Sequence, residues 1–442
     1  MTTNKENIRI FTFAKSTIIY VSAVTLSALF SLLSAPILTA YLTPGEYGTA
    51  ALFQSCYTTM AIFVGLQCIS PAEVKYFATK NSQIGQKKLI ESCIEILVVS
   101  SLAIGLLLLL YSIFISKSFP LPYSWIWLAF LVSIASFIIQ LRLGQWRVRE
   151  EATSYAILLV SQTAITVLAS LWLVAVEHKG AFGRVMGLVV SGAILGIFSI
   201  YSLKKDGLWG HPKFSSDNWK ERLKPGLALI PHAIGGIFIG TVDRLLITRQ
   251  LGINNTGIYT LSVQMCLPIG LLFAGINNAY TAWLYSHLSV IDTLSETLDQ
   301  VFLMKRRIVK RTYRFFVGTL ILSSVIVIIA KLFLHYYVDA RYSEATNLLV
   351  WIALGFSLEG MYYGVVGYIL YAKKNILLSS ATISSSLISI PIFIVSMKYF
   401  GLVGAAIAYA VLQSIKFTSV WILAQHSYPM PWFQVRMKNM RI

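Results

Sequence analysis

The run ILVVSSLAIGLLLLLYSIFIS, residues 96–116, places 21 uncharged residues between Glu95 and Lys117. An α-helix needs about 20 apolar residues to cross the hydrocarbon core of a bilayer. Water is absent there, so every backbone amide must be paired inside the protein, which helices and closed barrels achieve. A barrel strand would alternate apolar and polar residues over about ten positions, whereas this run is continuously apolar. It therefore predicts a transmembrane helix.

The same pattern recurs along the whole chain. Of its 442 residues, 56% are hydrophobic and only 12% are charged, against about a quarter charged in soluble domains. We therefore predict an all-α integral membrane protein with about twelve transmembrane helices. The predicted spans are 15–40, 48–71, 88–115, 123–146, 152–176, 182–203, 224–250, 257–285, 312–337, 345–371, 375–397 and 401–425.

The basic residues predict the orientation of these spans. With the N-terminus placed inside, 27 of the 36 Lys and Arg fall in inside segments and seven at outside ends; Arg244 and Lys416 fall within spans. Lys and Arg concentrate in cytoplasmic loops, so we expect both termini in the cytoplasm and the chain in a bacterial inner membrane. The net charge of +18 is then a topology signal and does not indicate nucleic acid as a partner.

An internal repeat suggests how the helices are grouped. Three positions recur at one offset of 209, where Thr39, Leu42 and Gly48 match Thr248, Leu251 and Gly257. Later in each half, GAFGRVMG (180–187) is similar to GLVGAAIA (401–408). We predict two related six-helix bundles, 1–203 and 224–425, joined by a cytoplasmic linker, 204–223, and followed by a basic cytoplasmic tail, 426–442. Transporters built from parallel repeats bind substrate near the membrane midplane.

The segment 286–311 combines an apolar stripe with a basic end. Ile291, Leu294, Leu298 and Val301 recur at three- and four-residue spacing, and five basic residues follow within 305–311. This pattern is typical of an amphipathic helix lying on an anionic inner leaflet. A simple basic loop that fixes the topology explains the same residues.

Ionisable residues inside the predicted spans are the candidates for function. Asp243, Arg244, Glu359 and Lys416 each cost about 2.5–3.5 kcal/mol at mid-bilayer, so they must face water or find partners. Opposite charges are missing three and four positions from Arg244, Glu359 and Lys416, and Asp243 is about 100° from Arg244 around a helix. We therefore expect partners on other helices, in water or in substrate; Glu359 and Lys416 lie at similar depth and can pair.

Two interpretations of these charges stay open. A static salt bridge between Glu359 and Lys416 would fix helix packing. Alternatively, cations hold a phosphate while a carboxylate exchanges a proton or sodium ion. On the second interpretation the candidate substrate-binding residues are Arg244, Lys416 and Arg142, and the candidate ion-coupling residues are Asp243 and Glu359. Arg142 also fits a basic anchor near the cytoplasmic end of its span. The sequence lacks the common enzyme and metal motifs, so we expect a transporter without cofactor or metal.

The segments PILTAYLTPGEYG (36–48), DRLLITRQLGINNTGIYTLS (243–262) and GLVGAAIAYAVLQ (401–413) resemble the O-antigen flippases of the Wzx type. These form part of the polysaccharide transport branch of the multidrug/oligosaccharidyl-lipid/polysaccharide exporter superfamily. The resemblance implies two six-helix bundles around a central cationic cavity. It also implies flipping of an undecaprenyl-pyrophosphate-linked oligosaccharide to the periplasmic leaflet, driven by a proton or sodium gradient.

Two other classes of function are open at this point. A multidrug or metabolite antiporter shares the architecture, although a cavity for cationic drugs would favour acidic residues. A polysaccharide polymerase has a similar number of spans but usually carries a large periplasmic loop, and all predicted outside loops here are short. For a flippase, the expected partners are the lipid-linked oligosaccharide, membrane lipids, a polysaccharide polymerase and a chain-length regulator.

Overall fold

A computed structural model describes residues 2–78, 82–114, 120–210, 241–293, 298–372 and 374–434, with 223–224, 226–227, 229–230 and 233–235. Within these ranges all regular elements are helices, which confirms the all-α prediction. They are α1 Thr2–Tyr41, α2 Pro44–Phe63, α3 Ile69–Ala78, α4 Gln83–Phe114, α5 Tyr123–Val148, α6 Ala152–Leu171, α7 Gly180–Lys205, α8 Val242–Leu251, α9 Ile253–Thr293, α10 Leu298–Tyr337, α11 Ala345–Tyr371 and α12 Asn375–Ser427. A π-helical turn, Trp172–Val176, extends α6, and 3₁₀ turns lie at Ala340–Tyr342 and Trp432–Gln434.

Among the described residues, nine helices are long and apolar enough to cross a membrane. They cover ten of the predicted spans, because α12 contains the last two. These two spans are separated at Gly401, whose φ of +56° and ψ of −137° interrupt the helical geometry. Nine residues of the predicted span 224–250 lie outside the described residues (225, 228, 231–232 and 236–240), and α8 is its described end.

The predicted span 48–71 is wrong at its second end. Helix α2 stops at Phe63, and three successive residues then take positive φ values: +78° at Gly65, +48° at Leu66 and +56° at Gln67. A left-handed backbone ends a right-handed helix, so a separate short helix, α3, begins at Ile69. Hydropathy did not predict this break because Leu66 and its neighbours are as apolar as the helix before them.

The chain forms two compact units, Met1–Thr260 and Leu261–Ile442. Unit 1 packs α1 on α6, and α5 on α2 and α7. Unit 2 packs α11 on α10 and α12 around an aromatic core that includes Trp432, which is 3% exposed. The described beginning of the predicted cytoplasmic tail is thus packed into unit 2, while residues 435–442 lie outside the described residues. Of the predicted linker, residues 211–222 lie outside them as well.

The first glycine of each repeated pair has the same positive φ. Gly180 begins α7 with φ +55°, and its sequence counterpart Gly401 has φ +56°. Three residues later, a Cβ on Gly183 would meet the backbone of Leu173, and one on Gly404 would meet the carbonyl of Ser396. Glycine tolerates the positive φ at the first position of each pair and the close approach at the second at little cost. The shared geometry agrees with an internal duplication.

A second repeated pair lies within unit 1, where α2 crosses the first turns of α9. A Cβ on Gly48 would collide with the carbonyl oxygen of Ile253, and a Cβ on Gly257 with that of Pro44. Residues 44 and 253 differ by the same offset of 209 as the two glycines. The contact is therefore reciprocal, as expected where two copies of one motif meet around a twofold axis.

Candidate functional site

Asp243 of unit 1 lies in the first turn of α8 and is 2% exposed. Its carboxylate accepts hydrogen bonds from the backbone N–H of Arg244, at 2.7 Å, and from the hydroxyl of Tyr259, at 3.0 Å. The first turn of a helix leaves its backbone N–H groups without intrahelical acceptors, and the positive end of the helix dipole favours a carboxylate there. These contacts explain how the chain buries this charge.

Arg244 pairs with its neighbour in the sequence. Its Nη1 lies 3.5 Å from Oδ1 of Asp243, and its side chain is 16% exposed. The expectation that Arg244 finds partners only beyond its own helix is therefore wrong. The Asp243 carboxylate accepts a hydrogen bond from the backbone N–H of Arg244, which brings it to the side chain of that residue despite the 100° separation. The pair is long for a charge-assisted hydrogen bond, which is about 2.7–2.9 Å.

Two residues that the sequence did not single out lie near this pair. Tyr47 of α2 is 5% exposed, and its hydroxyl lies within the electrostatic reach of both Arg184 and Arg244. The Nη1 atom of Arg184 is buried without a hydrogen-bond partner among the described residues. The sequence places Arg184 among the seven basic residues at outside ends of the predicted spans. The repeat offered a signal, because Arg184 aligns with Ala405 and so is a cation in one half only.

Glu359 of α11 and Lys416 of α12 form the corresponding charged pair of unit 2. The Lys416 Nζ lies 3.9 Å from Oε1 of Glu359, and the two side chains are 14% and 25% exposed. The same Nζ lies 4.6 Å from the ring centroid of Tyr362, a cation–π contact. The expected pairing is present, but its distance exceeds that of a hydrogen bond.

Arg142 of α5 has different surroundings, being 2% exposed. Its guanidinium donates to the Gln145 side chain, and at 2.7 Å to both Ser202 and Asp206. It also stacks 4.3 Å from the ring centroid of Trp146. That Arg142 binds substrate stays a prediction. The geometry gives the side chain an intramolecular role, joining α5 to the end of α7.

Arg147, one turn further along α5, is half-exposed and lies 3.6 Å from Glu73 of α3. Burial raises the pKa of the Glu73 carboxyl, and the charge of Arg147 opposes that rise. Such a pair at the end of a span agrees with a basic anchor.

Each unit thus contains a partly exposed cation whose distance to its carboxylate partner exceeds that of a short charge-assisted hydrogen bond. Such an arrangement can exchange its internal carboxylate for another anion. Acidic, cysteine and histidine side chains form no group of three or more suited to a metal ion in the described part of the chain.

Residues 13–281 match the family described as polysaccharide biosynthesis protein. The chain is also 22% identical over 268 residues to the Lsg locus putative protein 1 of Haemophilus influenzae. That match covers 59% of this chain and 63% of the relative, so it spans less than two thirds of the relative's length.

Solved structures of transporters share the fold. The lipid II flippase MurJ in an inward closed conformation superposes with a TM-score of 0.69 at 15% identity, covering 92% of this chain and 87% of that one. An inward-facing multidrug resistance MATE transporter gives 0.63 at 15% identity over 93% and 97%. A MOP superfamily transporter from Pyrococcus furiosus, described as having a binding pocket of reverse polarity, gives a TM-score of 0.57 at 16% identity, covering 94% of this chain and 95% of that one.

Proposed function

The chain belongs to the polysaccharide biosynthesis protein family, and on that premise we propose that it is a flippase for a lipid-linked oligosaccharide. Its substrate is an O-antigen repeat unit on undecaprenyl pyrophosphate, moved from the cytoplasmic to the periplasmic leaflet of a bacterial inner membrane. The observation that carries this proposal is the family match over 13–281, in a chain built of membrane-length helices.

The loose charged pairs supply a way to hold the pyrophosphate. A guanidinium or ammonium binds phosphate oxygens at about 2.7–2.9 Å. Arg244 and Lys416 are 3.5 Å and 3.9 Å from their carboxylates, so a phosphate can form a shorter contact than either carboxylate forms. Phosphate then replaces the carboxylate as the partner of either cation, and the polyprenyl tail of the substrate stays in lipid.

The displaced carboxylates supply a way to couple transport to a gradient. An ion gradient directed into the cell drives export only if the ion moves opposite to the substrate. After the substrate leaves on the periplasmic side, a proton or sodium ion from that side binds Asp243 or Glu359. Release of the ion into the cytoplasm restores the pair with Arg244 or Lys416 before the next substrate binds.

A multidrug or metabolite antiporter is the second candidate, favoured by the fold shared with the MATE transporter. In that case the carboxylates bind a cationic substrate and the cations are structural. The two proposals differ in what accumulates when the protein is lost. Loss of a flippase leaves the lipid-linked oligosaccharide on the inner leaflet, whereas loss of an antiporter leaves surface polysaccharide intact and increases drug sensitivity.

The experiment complements a deletion strain with Arg244→Ala and with Lys416→Ala. We expect both variants to lose surface polysaccharide at unchanged protein level in the membrane. Matched controls are Arg249→Ala on α8 and Lys398→Ala on α12, both exposed basic residues of the same helices, which keep surface polysaccharide. Normal polysaccharide in Arg244→Ala and Lys416→Ala would reject the roles of these two cations, and normal polysaccharide in the deletion strain would reject the flippase.

A further inference from the structure

A second region rich in cations lies in unit 2, where the end of α9 and the beginning of α10 enclose a cavity of about 360 Å³. Its apolar lining includes Trp283, Ile291, Met304 and Ile308. Of these, Ile291 and Ile308 belong to the buried core of the unit. The cavity is therefore part of the folded unit. It forms within the segment that the sequence predicts to lie on the inner leaflet.

Two arginines line the cavity above this apolar floor. Arg307 and Arg311 are one helical turn apart on α10 and both are exposed. Arg311 lies 5.0 Å from the ring centroid of Trp283, which holds its guanidinium in place. Among the described residues, neither arginine forms an ion pair with a carboxylate.

Two neighbouring charged residues, Asp292 and Lys305, make their contacts outside the cavity. The carboxylate of Asp292 accepts hydrogen bonds of 2.8 Å from the hydroxyls of Tyr371 and Tyr428. Lys305 donates to the carbonyl of Pro429 and lies 4.8 Å from the ring centroid of Tyr428. These contacts hold the C-terminal segment on the unit. The two arginines of the cavity are left to attract an anion from outside the protein.

The size and the surroundings of the cavity indicate the chemistry of that anion. A volume of 360 Å³ equals about twelve water molecules at roughly 30 Å³ each, enough for a phosphate with a small polar group but not for an oligosaccharide as well. Val290, which lines the cavity, and Leu303, one helical turn before Arg307, are each 47% exposed. Exposed apolar side chains around paired arginines suit an amphiphile whose chains lie in the membrane.

We propose that this cavity binds the phosphate headgroup of an anionic glycerophospholipid from the leaflet on the side of the basic loops. The guanidinium groups of Arg307 and Arg311 hold the phosphate oxygens, and the acyl chains lie along the exposed apolar residues. The site is separate from the Arg244 and Lys416 pairs, and it does not depend on the substrate proposed for the protein.

The test is native mass spectrometry of the purified full-length protein with added phosphatidylglycerol, and with phosphatidylcholine as the zwitterionic control. We expect one tightly bound phosphatidylglycerol on the wild type. In Arg307→Gln/Arg311→Gln its affinity falls about tenfold or more, as expected for losing charge-assisted contacts. The matched control is Lys310→Gln/Arg314→Gln, which removes two exposed charges of the same helix that do not line the cavity, and it keeps the wild-type affinity.

A variant that keeps both arginines tests the cavity independently. Trp283→Phe weakens the cation–π support of Arg311, and we expect a loss of about twofold to fivefold in affinity. Equal losses in the two double variants, or equal binding of phosphatidylcholine, would overturn the proposal in favour of general surface attraction. Displacement of phosphatidylglycerol by inorganic pyrophosphate or by a polyprenyl diphosphate would also overturn it, and would assign the cavity to a free anion or to the transported lipid.

Discussion

Arg142 and Lys416 are both cations inside predicted spans, yet their surroundings differ in kind. Arg142 is 2% exposed and donates to Ser202 and Asp206 at 2.7 Å. Lys416 is 14% exposed, with its carboxylate partner Glu359 at 3.9 Å and an aromatic ring on its other side. The first side chain is fixed by short hydrogen bonds, and the second is held loosely.

The difference shows that an in-span charge indicates anion binding only where its own partner is loose. Desolvating a charge costs several kcal/mol, which short hydrogen bonds offset. A network of such bonds gives up its cation to a ligand only by exposing other buried polar groups. A cation with a distant carboxylate and residual exposure binds a ligand without that cost. Stability measurements on variants of each class test this distinction.

The largest effect is expected for Arg142→Gln. The substitution leaves the carboxylate of Asp206 with Arg149 as its remaining cation, at 3.3 Å, and removes the link between α5 and α7. Breaking a fully buried ion pair by removing one partner costs about 3–5 kcal/mol, and the cost here lies toward the lower end because Asp206 is 30% exposed and keeps Arg149. We expect a markedly lower amount of protein in the membrane and a clear drop in the midpoint of thermal unfolding in detergent.

The control for this prediction is a double-mutant cycle. Arg142→Gln/Asp206→Asn removes both charges and should lose less stability than the two single variants combined. Arg147→Gln, which changes a half-exposed arginine one turn away, should unfold close to the wild type. An Arg142→Gln protein as stable as wild type would show that the network does not hold the unit together, and would return Arg142 to the substrate-binding candidates.

Spans and candidate charges could be predicted because hydropathy and charge are local properties of the chain. The paired glycines could be predicted because they recur in the sequence of both halves, and Gly180 and Gly401 share a positive φ. The break after α2 could not, because positive φ at Leu66 and Gln67 has no apolar or polar signature. The partners of Arg142 and Arg184 could not either, because they depend on which helix faces lie against each other.

An intermediate effect is expected for Tyr259→Phe in unit 1. The variant removes one of the donors to the buried carboxylate of Asp243 but leaves the backbone N–H of Arg244 in place. Leaving a buried acceptor with fewer partners costs about 1–3 kcal/mol, which lowers the midpoint of thermal unfolding by less than Arg142→Gln does. Tyr201→Phe, at a position that is 61% exposed, is the control without effect. An equally small change in the thermal midpoint of Tyr259→Phe would mean that water takes the place of the missing hydroxyl at Asp243.

The smallest change in stability, and the sharpest functional change, is expected for Glu359→Gln. If Glu359 and Lys416 face water, their loose pair contributes only about 0–1 kcal/mol, and the variant unfolds at nearly the wild-type temperature. If the same pair is dry, removing one partner costs about 3–5 kcal/mol, as predicted for Arg142. The thermal midpoint of this variant therefore decides between the two classes of site.

A glutamine cannot take up the proton that the proposed coupling requires, so polysaccharide export by a stable Glu359→Gln protein should stop responding to dissipation of the proton gradient. A stable variant whose export still follows that gradient would remove Glu359 from the coupling and leave the pair as a packing contact.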